Sequence, residues 1–342
     1  MKRLASRRLI AVTLIGSALA LSLTGCSDEG SPFDFNTAGD GGSTQHQGLN
    51  RTAVSDDGVS RMPMGPRADF SVHRTLDDGT KVAQTTLKGS KSGVTGKVWV
   101  WAPKQYFDPE YANSGFPVLI ALPGSYGFNS NYWANPSNTF LDTVARMSEE
   151  GTSLPFVVVM PVLNPAKRYY DGSDIPGRPR MGTWMTEDVP DFVRANFRTF
   201  NSRDGWAFMG SSSGGFVALK SVLKHPERFK AAISSGPDIV PDSPMWKGHP
   251  AEKRANDPRA LAGALIKKPG APDVYLAFQV GSTETLQPRV NKFIREYGKG
   301  PVKTHLEVVP NGIHSPATYV KGMEASSLSW ISARLKAPVP HP

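Results

Sequence analysis

The stretch that most constrains the fold covers residues 206–219, where an apolar run, a turn of small residues and a second apolar run follow one another. The second run has helical spacing, so the pattern predicts a strand, a sharp turn and a helix. Residues 210–214 read Gly-Ser-Ser-Ser-Gly and match the G-x-S-x-G nucleophile elbow, with Ser212 at its centre. Ser211 and Ser213 are the local alternatives, and a Gly/Ser-rich connection without chemistry is the alternative for the whole motif.

This arrangement suits a nucleophilic serine for physical reasons. A strained turn projects the hydroxyl above the edge of the sheet, and small neighbours let the strand and the helix approach closely. The amino end of the helix also directs N–H groups and a positive dipole at developing negative charge. The stretch therefore predicts that Ser212 is a nucleophile at the carboxyl end of a strand.

The first 25 residues predict export. Residues 1–8 are basic, residues 9–23 are mostly apolar, and Leu-Thr-Gly-Cys follows at 23–26. This order is typical of a signal peptide, and the ending resembles a bacterial lipobox, which predicts lipidation of Cys26 and a membrane partner through that lipid. An ordinary signal peptide with an incidental cysteine is the alternative. Arg7-Arg8 after Ser6 also permits twin-arginine export.

Residues 26–67 are rich in Gly, Ser, Asp, Asn and Thr and predict a flexible tether between the membrane and the domain at 68–342. The net charge of +9 includes four cations in the first eight residues, and no basic stripe with interleaved aromatics follows, so no nucleic-acid partner is predicted. Cys26 is the single cysteine, which leaves no disulfide and no thiol-metal cluster for the mature fold. No motif for a metal or an organic cofactor is present.

The rest of the chain alternates strand-like and helix-like patterns. A hairpin is predicted at 82–88 and 94–102, followed by buried strands, elbow strand included, at 116–122, 156–161, 206–211, 231–236, 274–280 and 305–309. Helices are predicted at 139–150, 183–197 (with Pro190 as a kink), 213–224, 258–267, 288–297 and 319–335. This order predicts an α/β fold with a mostly parallel sheet of about eight strands, an N-terminal antiparallel hairpin and helices on both faces.

A serine nucleophile needs a base within hydrogen-bond reach, and the base needs an orienting acid. In this architecture the chain order is serine, acid, histidine. Glu284 and His314 each follow a predicted strand, so both fall at the same edge of the sheet as Ser212. Asp238, after another strand, is the alternative acid, and His249, in a loop, is the alternative base.

The oxyanion of a tetrahedral intermediate needs two N–H donors. The backbone of Ser213 is one candidate, and the loop at 123–125 supplies the other, with Ser125 N–H preferred. The aromatic residues Tyr126, Tyr132, Trp133 and Trp184 are candidates either for lining the pocket or for packing in the core.

Residues 209–215 and the stretch His-Pro-Glu-Arg-Phe-Lys-Ala-Ala at 225–232 resemble the esterase D and mycolyltransferase (antigen 85-like) family of α/β-hydrolases. The helix that begins at Thr183-Trp184 is similar to the one before the elbow in that family. The resemblance covers roughly residues 75–335 and implies an α/β-hydrolase fold with Ser212, Glu284 and His314 as nucleophile, acid and base. Two positions depart from the family pattern: Pro123-Gly124 stands where His-Gly is frequent, and the acid is a glutamate, as in mycolyltransferases.

Three functions follow as hypotheses. The first is a serine esterase that acts on a small-molecule or lipid ester through an acyl-enzyme. The second is an acyltransferase that passes the acyl group to a sugar or lipid hydroxyl. The third is a surface lipoprotein without activity on a hydrolase scaffold, because fold does not imply function.

Overall fold

The computed structural model describes residues 30–36, 59–125 and 127–341. The predicted signal peptide and Cys26 lie outside these residues, as does Tyr126. Within the described part of the chain, no helix combines the length and the apolar character that a membrane span requires.

Twelve strands form two sheets among the described residues. Their bounds are β1 Pro32–Phe33, β2 Ser60–Arg61, β3 Phe70–Thr75, β4 Lys81–Lys88, β5 Thr95–Trp101, β6 Val118–Leu122, β7 Val157–Pro161, β8 Thr199–Phe200, β9 Trp206–Ser211, β10 Ala231–Ser235, β11 Val274–Gly281 and β12 Val302–Val309. The large sheet has the order β1-β3-β4-β5-β7-β6-β9-β10-β11-β12, and β2 pairs with β8.

The strands from β7 to β12 in this order pair in parallel, whereas β1, β3, β4 and β5 pair antiparallel with their neighbours and β5 with β7. The predicted hairpin is β4 and β5. The predicted α/β class with a mostly parallel sheet is therefore confirmed, but the sheet has ten strands rather than eight. The additional strands lie at the antiparallel edge, where β1 and β3 extend the hairpin.

In the described part of the chain, ten α-helical segments accompany the sheet. Their bounds are α1 Lys104–Phe107, α2 Phe140–Glu149, α3 Met181–Thr183, α4 Val189–Asn196, α5 Ser213–Lys224, α6 Pro250–Arg254, α7 Pro258–Lys267, α8 Gln287–Tyr297, α9 Pro316–Gly322 and α10 Leu328–Ser332. A π-helical turn, Trp184–Asp188, joins α3 to α4, and a second one, Met323–Ser327, joins α9 to α10.

The first π turn explains how a helix accommodates Pro190. A proline inside a helix lacks an N–H group, and its ring clashes with the carbonyl four residues earlier. Here the wider turn immediately precedes α4, and Pro190 lies at the beginning of that segment. The sequence predicts a kink at this position, and the structure contains a local change of helix type instead.

Two pieces of the predicted tether lie against the domain. The ring of Phe35 is 3% exposed and packs against Phe70 and Phe197. Met62 is also buried, next to β2, and Gly115 N donates to Ser60 Oγ at 2.7 Å. The prediction of a tether is thus wrong for residues 30–36 and 59–67, because isolated apolar residues in a polar stretch find partners in the core. The rest of the predicted tether lies outside the described residues.

The centre of the sheet is buried on both faces. Every residue of β6, β7 and β9 is buried, as expected for parallel strands covered by helices. Helix α5 packs against β9 and β10, and it is buried over nearly its whole length. Buried segments therefore flank the turn between β9 and α5 on both ends. The turn itself lies at the carboxyl edge of the sheet, where ligands bind in such folds.

The hairpin loop between β4 and β5 is fastened to the helical layer by a buried carboxylate. Asp188 is 4% exposed, and its two oxygens accept hydrogen bonds from Lys91 N at 3.0 Å and Ser92 N at 2.9 Å. Asp191, one turn further along, forms an exposed ion pair with Lys91 Nζ at 2.8 Å.

We expect Asp188→Ala to lower the free energy of unfolding by about 1–3 kcal/mol, because two N–H donors lose a charged acceptor. The control Asp191→Ala should change it by less than about 1 kcal/mol, since exposed ion pairs contribute little. Urea unfolding followed by circular dichroism measures both. Equal losses for the two variants would contradict the assigned role of Asp188.

Candidate active site

Ser212 occupies the turn between β9 and α5 in a backbone conformation that L-residues rarely adopt. Its φ is 54° and its ψ is −122°, and such a strained residue costs about 1–3 kcal/mol. A hydrogen bond from Ser212 N to Ser235 O, 2.8 Å long, ties the turn to the end of β10. The surrounding structure thus holds the strain, as expected of a nucleophile elbow.

Two glycines make this turn possible. A Cβ atom at Gly210 would overlap with the backbone of Gly214, and one at Gly214 would overlap with the carbonyl oxygen of Pro123. The strand, the helix and the loop after β6 therefore meet backbone to backbone around Ser212. Larger residues at either glycine would push these three segments apart.

The predicted acid and base meet in the structure. His314 Nδ1 lies 2.8 Å from Glu284 Oε2, and the carboxylate side chain is 2% exposed while the imidazole is 45% exposed. The two loops that carry them are joined, because Thr283 Oγ1 donates to Gly312 O at 2.6 Å and Thr283 N donates to the same oxygen at 3.1 Å. The loops after β11 and β12 thus hold the pair in register.

The contact between Glu284 and His314 shifts the pKa of both groups. Burial raises the pKa of Glu284, but hydrogen bonds from His314, Gly281 N and Tyr319 outweigh it, so the net pKa lies below the ordinary value. The hydrogen bond to Glu284 raises the pKa of His314 above its ordinary value, although burial opposes this shift. Asp238 adds a smaller attraction to the imidazolium.

Tyr319, on α9, completes the surroundings of the carboxylate, and the sequence analysis did not identify it. Its buried hydroxyl lies 3.1 Å from Glu284 Oε1, 3.0 Å from Oε2 and 2.7 Å from His314 Nδ1. Burial beside Glu284 raises the pKa of this phenol, so it stays a neutral donor. Gly281 N donates to Glu284 Oε1 at 2.7 Å. Glu284 is therefore oriented from three sides, and it in turn orients His314.

The two predicted oxyanion donors lie on segments that touch. Ser213 Oγ donates to Ser125 O at 2.7 Å, which joins the start of α5 to the loop after β6. The N–H of Gly124 is taken, because it donates to Tyr132 Oη at 2.7 Å. Ser125 has a φ of 58°, and its N–H donates to no other described residue. The first N–H groups of a helix also lack intrahelical acceptors, so those of Ser125 and Ser213 are available for a ligand.

Tyr132 braces this corner of the site. Its hydroxyl accepts from Gly124 N and shares a hydrogen bond with Ser211 Oγ, so it links the loop to the elbow strand. Burial raises the pKa of Tyr132. The other two aromatic candidates within the described residues belong to the core: Trp133 and Trp184 are fully buried, and their Nε1 groups donate to backbone carbonyls.

A cavity of about 460 Å³ collects the candidate residues. It is lined by Ser212, Asp238, Thr283, Glu284, Thr285, Leu286, Ile313 and His314. We call it the catalytic cavity. Among the described residues, Ser212 Oγ makes no hydrogen bond to His314, so this one link of the predicted triad is not formed here. The alternative acid Asp238 lines the cavity without contacting the imidazole, and burial raises its pKa.

Three other histidines that follow the elbow lie away from the catalytic cavity. His225 follows the last residue of α5, about 20 Å along the helix from Ser212, and His305 Nε2 pairs with Ser326 Oγ at 2.8 Å. His249 precedes α6 and does not line the catalytic cavity. In the described part of the chain, no group of three or more His, Cys, Asp or Glu residues is placed to hold a metal ion.

Comparison with known proteins places the chain among hydrolases. The family model described as "Putative esterase" matches residues 92–320, well over half of the chain. An uncharacterised protein of Corynebacterium glutamicum is 27% identical over 180 residues, a match that covers 47% of this chain and 39% of that protein. The chain thus spans about two fifths of the length of this curated relative.

Solved structures share the fold at low identity. An S-formylglutathione hydrolase from Agrobacterium tumefaciens is 20% identical with a TM-score of 0.59, covering 78% of this chain and 99% of that chain. A fluorophosphonate-binding serine hydrolase of Staphylococcus aureus is 17% identical with a TM-score of 0.59, covering 74% and 98%. A ferulic acid esterase is 18% identical with a TM-score of 0.57, covering 75% and 98%.

The pair of Glu284 and His314 can be tested by titration. We expect the pKa of the His314 imidazole to lie above the ordinary histidine value in the unmodified protein, and Glu284→Gln to lower this pKa, because the imidazolium loses its nearest negative charge while its burial remains. Asp238→Asn should lower it less. Histidine Cε1–H chemical shifts followed by NMR across pH measure all three, and an unchanged pKa in Glu284→Gln would contradict the pairing.

Proposed function

The chain belongs to the esterase family of α/β-hydrolases, as its elbow and the residues after it predict, and from this membership and the site geometry we propose that it is a serine hydrolase of carboxylic esters. The observation that supports the proposal most is the position of Ser212 at a strained elbow in the same cavity as the hydrogen-bonded pair His314 and Glu284. In this proposal Ser212 is the nucleophile, His314 the general base and Glu284 the residue that orients the base.

The proposed reaction has two halves. Ser212 Oγ attacks the ester carbonyl while His314 Nε2 accepts the hydroxyl proton, and the same proton then passes to the departing alcohol as the carbon–oxygen bond breaks. Water then gives a proton to His314 Nε2 and attacks the acyl-serine carbonyl, and that proton passes to Ser212 Oγ as the bond between the acyl carbon and Ser212 Oγ breaks and the acid is released. Glu284 stabilises the imidazolium in both halves without itself becoming protonated. The raised pKa of His314 accords with this role, since the carboxylate favours the charged ring.

The hydrogen bond from serine to histidine would form when substrate binds. Catalytic hydrogen bonds are commonly long in the absence of substrate and tighten in the Michaelis complex. The negative oxygen of the tetrahedral intermediate would lie between the N–H groups of Ser125 and Ser213. Loss of one such donor typically lowers kcat about 100- to 1000-fold in other serine hydrolases.

The substrate class in this proposal is a small-molecule or lipid ester. The catalytic cavity combines the polar groups of the triad with Leu286 and with Ile313, which is 61% exposed at its rim. An exposed apolar side chain beside the reacting atoms suits contact with the hydrocarbon part of an ester. The neighbours whose names include ferulic acid esterase and S-formylglutathione hydrolase carry the same fold.

We further propose that the protein is exported and lipidated at Cys26, with the domain held at the outer face of the membrane. The support is the order of basic start, apolar run and Leu-Thr-Gly-Cys in the first 26 residues. A single acyl chain binds a membrane weakly, so stable anchoring needs more than one chain.

The catalytic proposal is tested with a fluorophosphonate probe and a set of p-nitrophenyl esters. The full chain should be labelled, and Ser212→Ala should abolish labelling and lower turnover at least about a thousandfold. Ser90→Ala, in an exposed loop, is the control and should retain both. Labelling that persists in Ser212→Ala would remove this residue from the mechanism, and absence of labelling in the unmodified chain would favour a scaffold without activity.

The same assay separates hydrolysis from transfer. Product analysis with and without glycerol or trehalose should give free acid at the same rate in both cases if water is the acceptor. Acyl-glycerol or acyl-trehalose as the main product, with little free acid, would contradict hydrolysis and assign the acceptor role to a hydroxyl compound.

The anchor is tested by labelling cells with an alkyne-bearing palmitate analogue. The full chain should incorporate label and partition into the detergent phase, whereas Cys26→Ser should do neither. Equal incorporation in both proteins would exclude Cys26 as the attachment point.

A further inference from the structure

A second, larger cavity lies beside the catalytic cavity. It has a volume of about 720 Å³ and is formed by the loop after β10, the end of α6 and the start of α7, and one face of α8. Four cationic residues line this cavity: Arg254, Arg259, Arg289 and Lys292. We call it the cationic cavity.

The two cavities are neighbours in the fold. Asp238 lines the catalytic cavity, and the next residue, Ile239, lines the cationic one. Likewise Leu286, at the start of α8, lines the catalytic cavity, and Arg289 lines the cationic one about 5 Å further along the helix axis. Burial raises the pKa of Asp238, and the nearby Arg289 charge partly opposes this rise. The two cavities therefore adjoin at the loop after β10 and at the start of α8.

Among the described residues, two of the four cations in this cavity are paired with a carboxylate and two are not. Arg259 is paired with Asp257 at 2.6 Å, and Lys292 lies 3.8 Å from Glu296. The guanidinium groups of Arg254 and Arg289 form no ion pair or hydrogen bond with another described residue. Two carboxylates, Asp257 and Glu296, line the cavity beside the four cations, so positive charge is in excess and an anion would be stabilised there. Guanidinium groups match the planar, two-oxygen geometry of carboxylate and phosphate.

The wall of the cavity is apolar behind these charges. Phe293 is 2% exposed, and its ring centroid lies 5.1 Å from that of Tyr297 on the same face of α8. Arg289, Lys292 and Glu296 are spaced so that they share one face of the helix with this aromatic pair. A cationic rim over an aromatic wall suits a ligand with an organic body and an anionic group.

We propose that the cationic cavity is a substrate subsite that binds a carboxylate or phosphate group of the ester, with Arg289 and Arg254 as the residues that contact it. The inference rests on the proposed esterase function. The proposed substrate is an anionic ester in which a short spacer separates the charged group from the scissile bond.

The first test compares two p-nitrophenyl esters of similar length, the neutral valerate and the mono-anionic glutarate. We expect a higher kcat/KM for the glutarate at low salt, falling as ionic strength screens the charges. Arg289→Gln and Arg254→Gln should each lower kcat/KM for the glutarate at least about tenfold, mainly through KM, and leave the valerate nearly unchanged. Arg295→Gln, on α8 but outside the cavity, is the matched control and should change neither.

The second test needs no turnover. Butyl phosphate added to the full chain with Ser212→Ala should give a saturation-transfer NMR signal that Arg289→Gln removes and Arg295→Gln keeps. If kcat/KM is equal for both esters and does not change in Arg289→Gln or Arg254→Gln, the proposed subsite is wrong. The proposed esterase function is then unaffected. Butyl phosphate binding that depends on Arg289 in a protein without esterase activity would keep the anion site and overturn the function. Binding that survives Arg289→Gln would exclude this residue as a contact.

Discussion

The structure depends on the backbone-to-backbone contact between the end of β9, the start of α5 and the loop after β6. Because no side chain stands between these segments at Gly210 and Gly214, the backbone at Ser212 is forced into a strained turn and its hydroxyl is directed out of the sheet edge. The same contact joins Ser213, the residue after the elbow serine, to the loop that carries Ser125, because Ser213 Oγ donates to Ser125 O. The proposed nucleophile and its proposed oxyanion donors thus share one structural cause, and a change in the spacing of the three segments would move all of them together.

The second half of the site is organised by a single buried carboxylate. Glu284 accepts hydrogen bonds from a backbone N–H, a tyrosine hydroxyl and an imidazole, which together compensate for its burial and keep it ionised. A buried charge with this many donors has a fixed orientation, and it transmits that orientation to His314. The loops after β11 and β12 are joined by their own hydrogen bonds, so the position of the imidazole depends on the register of two parallel strands rather than on a flexible loop. The result is a preorganised pair that faces Ser212 across one cavity.

The candidate residues that could be predicted from the sequence are those that directly follow strands. The elbow was recognisable because it combines a fixed motif with a change of period, and Glu284 and His314 because parallel strands deliver their ends to one edge. Tyr319 was not identified, because its role depends on a side-chain contact across three elements that no local pattern encodes. A tyrosine five residues after the histidine, at the start of a helix, was the one available signal. The strands β1, β2 and β8 have only two residues each, which is too short for any periodicity to predict them. Pro190 predicts a kink rather than the observed π turn, because a proline in a helix is compatible with either distortion.

We propose that the Ser212 hydroxyl, the His314 imidazole and the N–H groups of Ser125 and Ser213 surround one reacting carbonyl. A crystal structure of the protein after reaction with a phosphonate ester tests this most directly, because the adduct resembles the tetrahedral intermediate. The account predicts phosphorus bonded to Ser212 Oγ, a phosphonyl oxygen about 3 Å from both N–H groups, and His314 Nε2 within hydrogen-bond distance of Ser212 Oγ. Phosphorus on another residue, or an adduct whose oxygen points away from Ser125 and Ser213 with His314 out of reach, would contradict it.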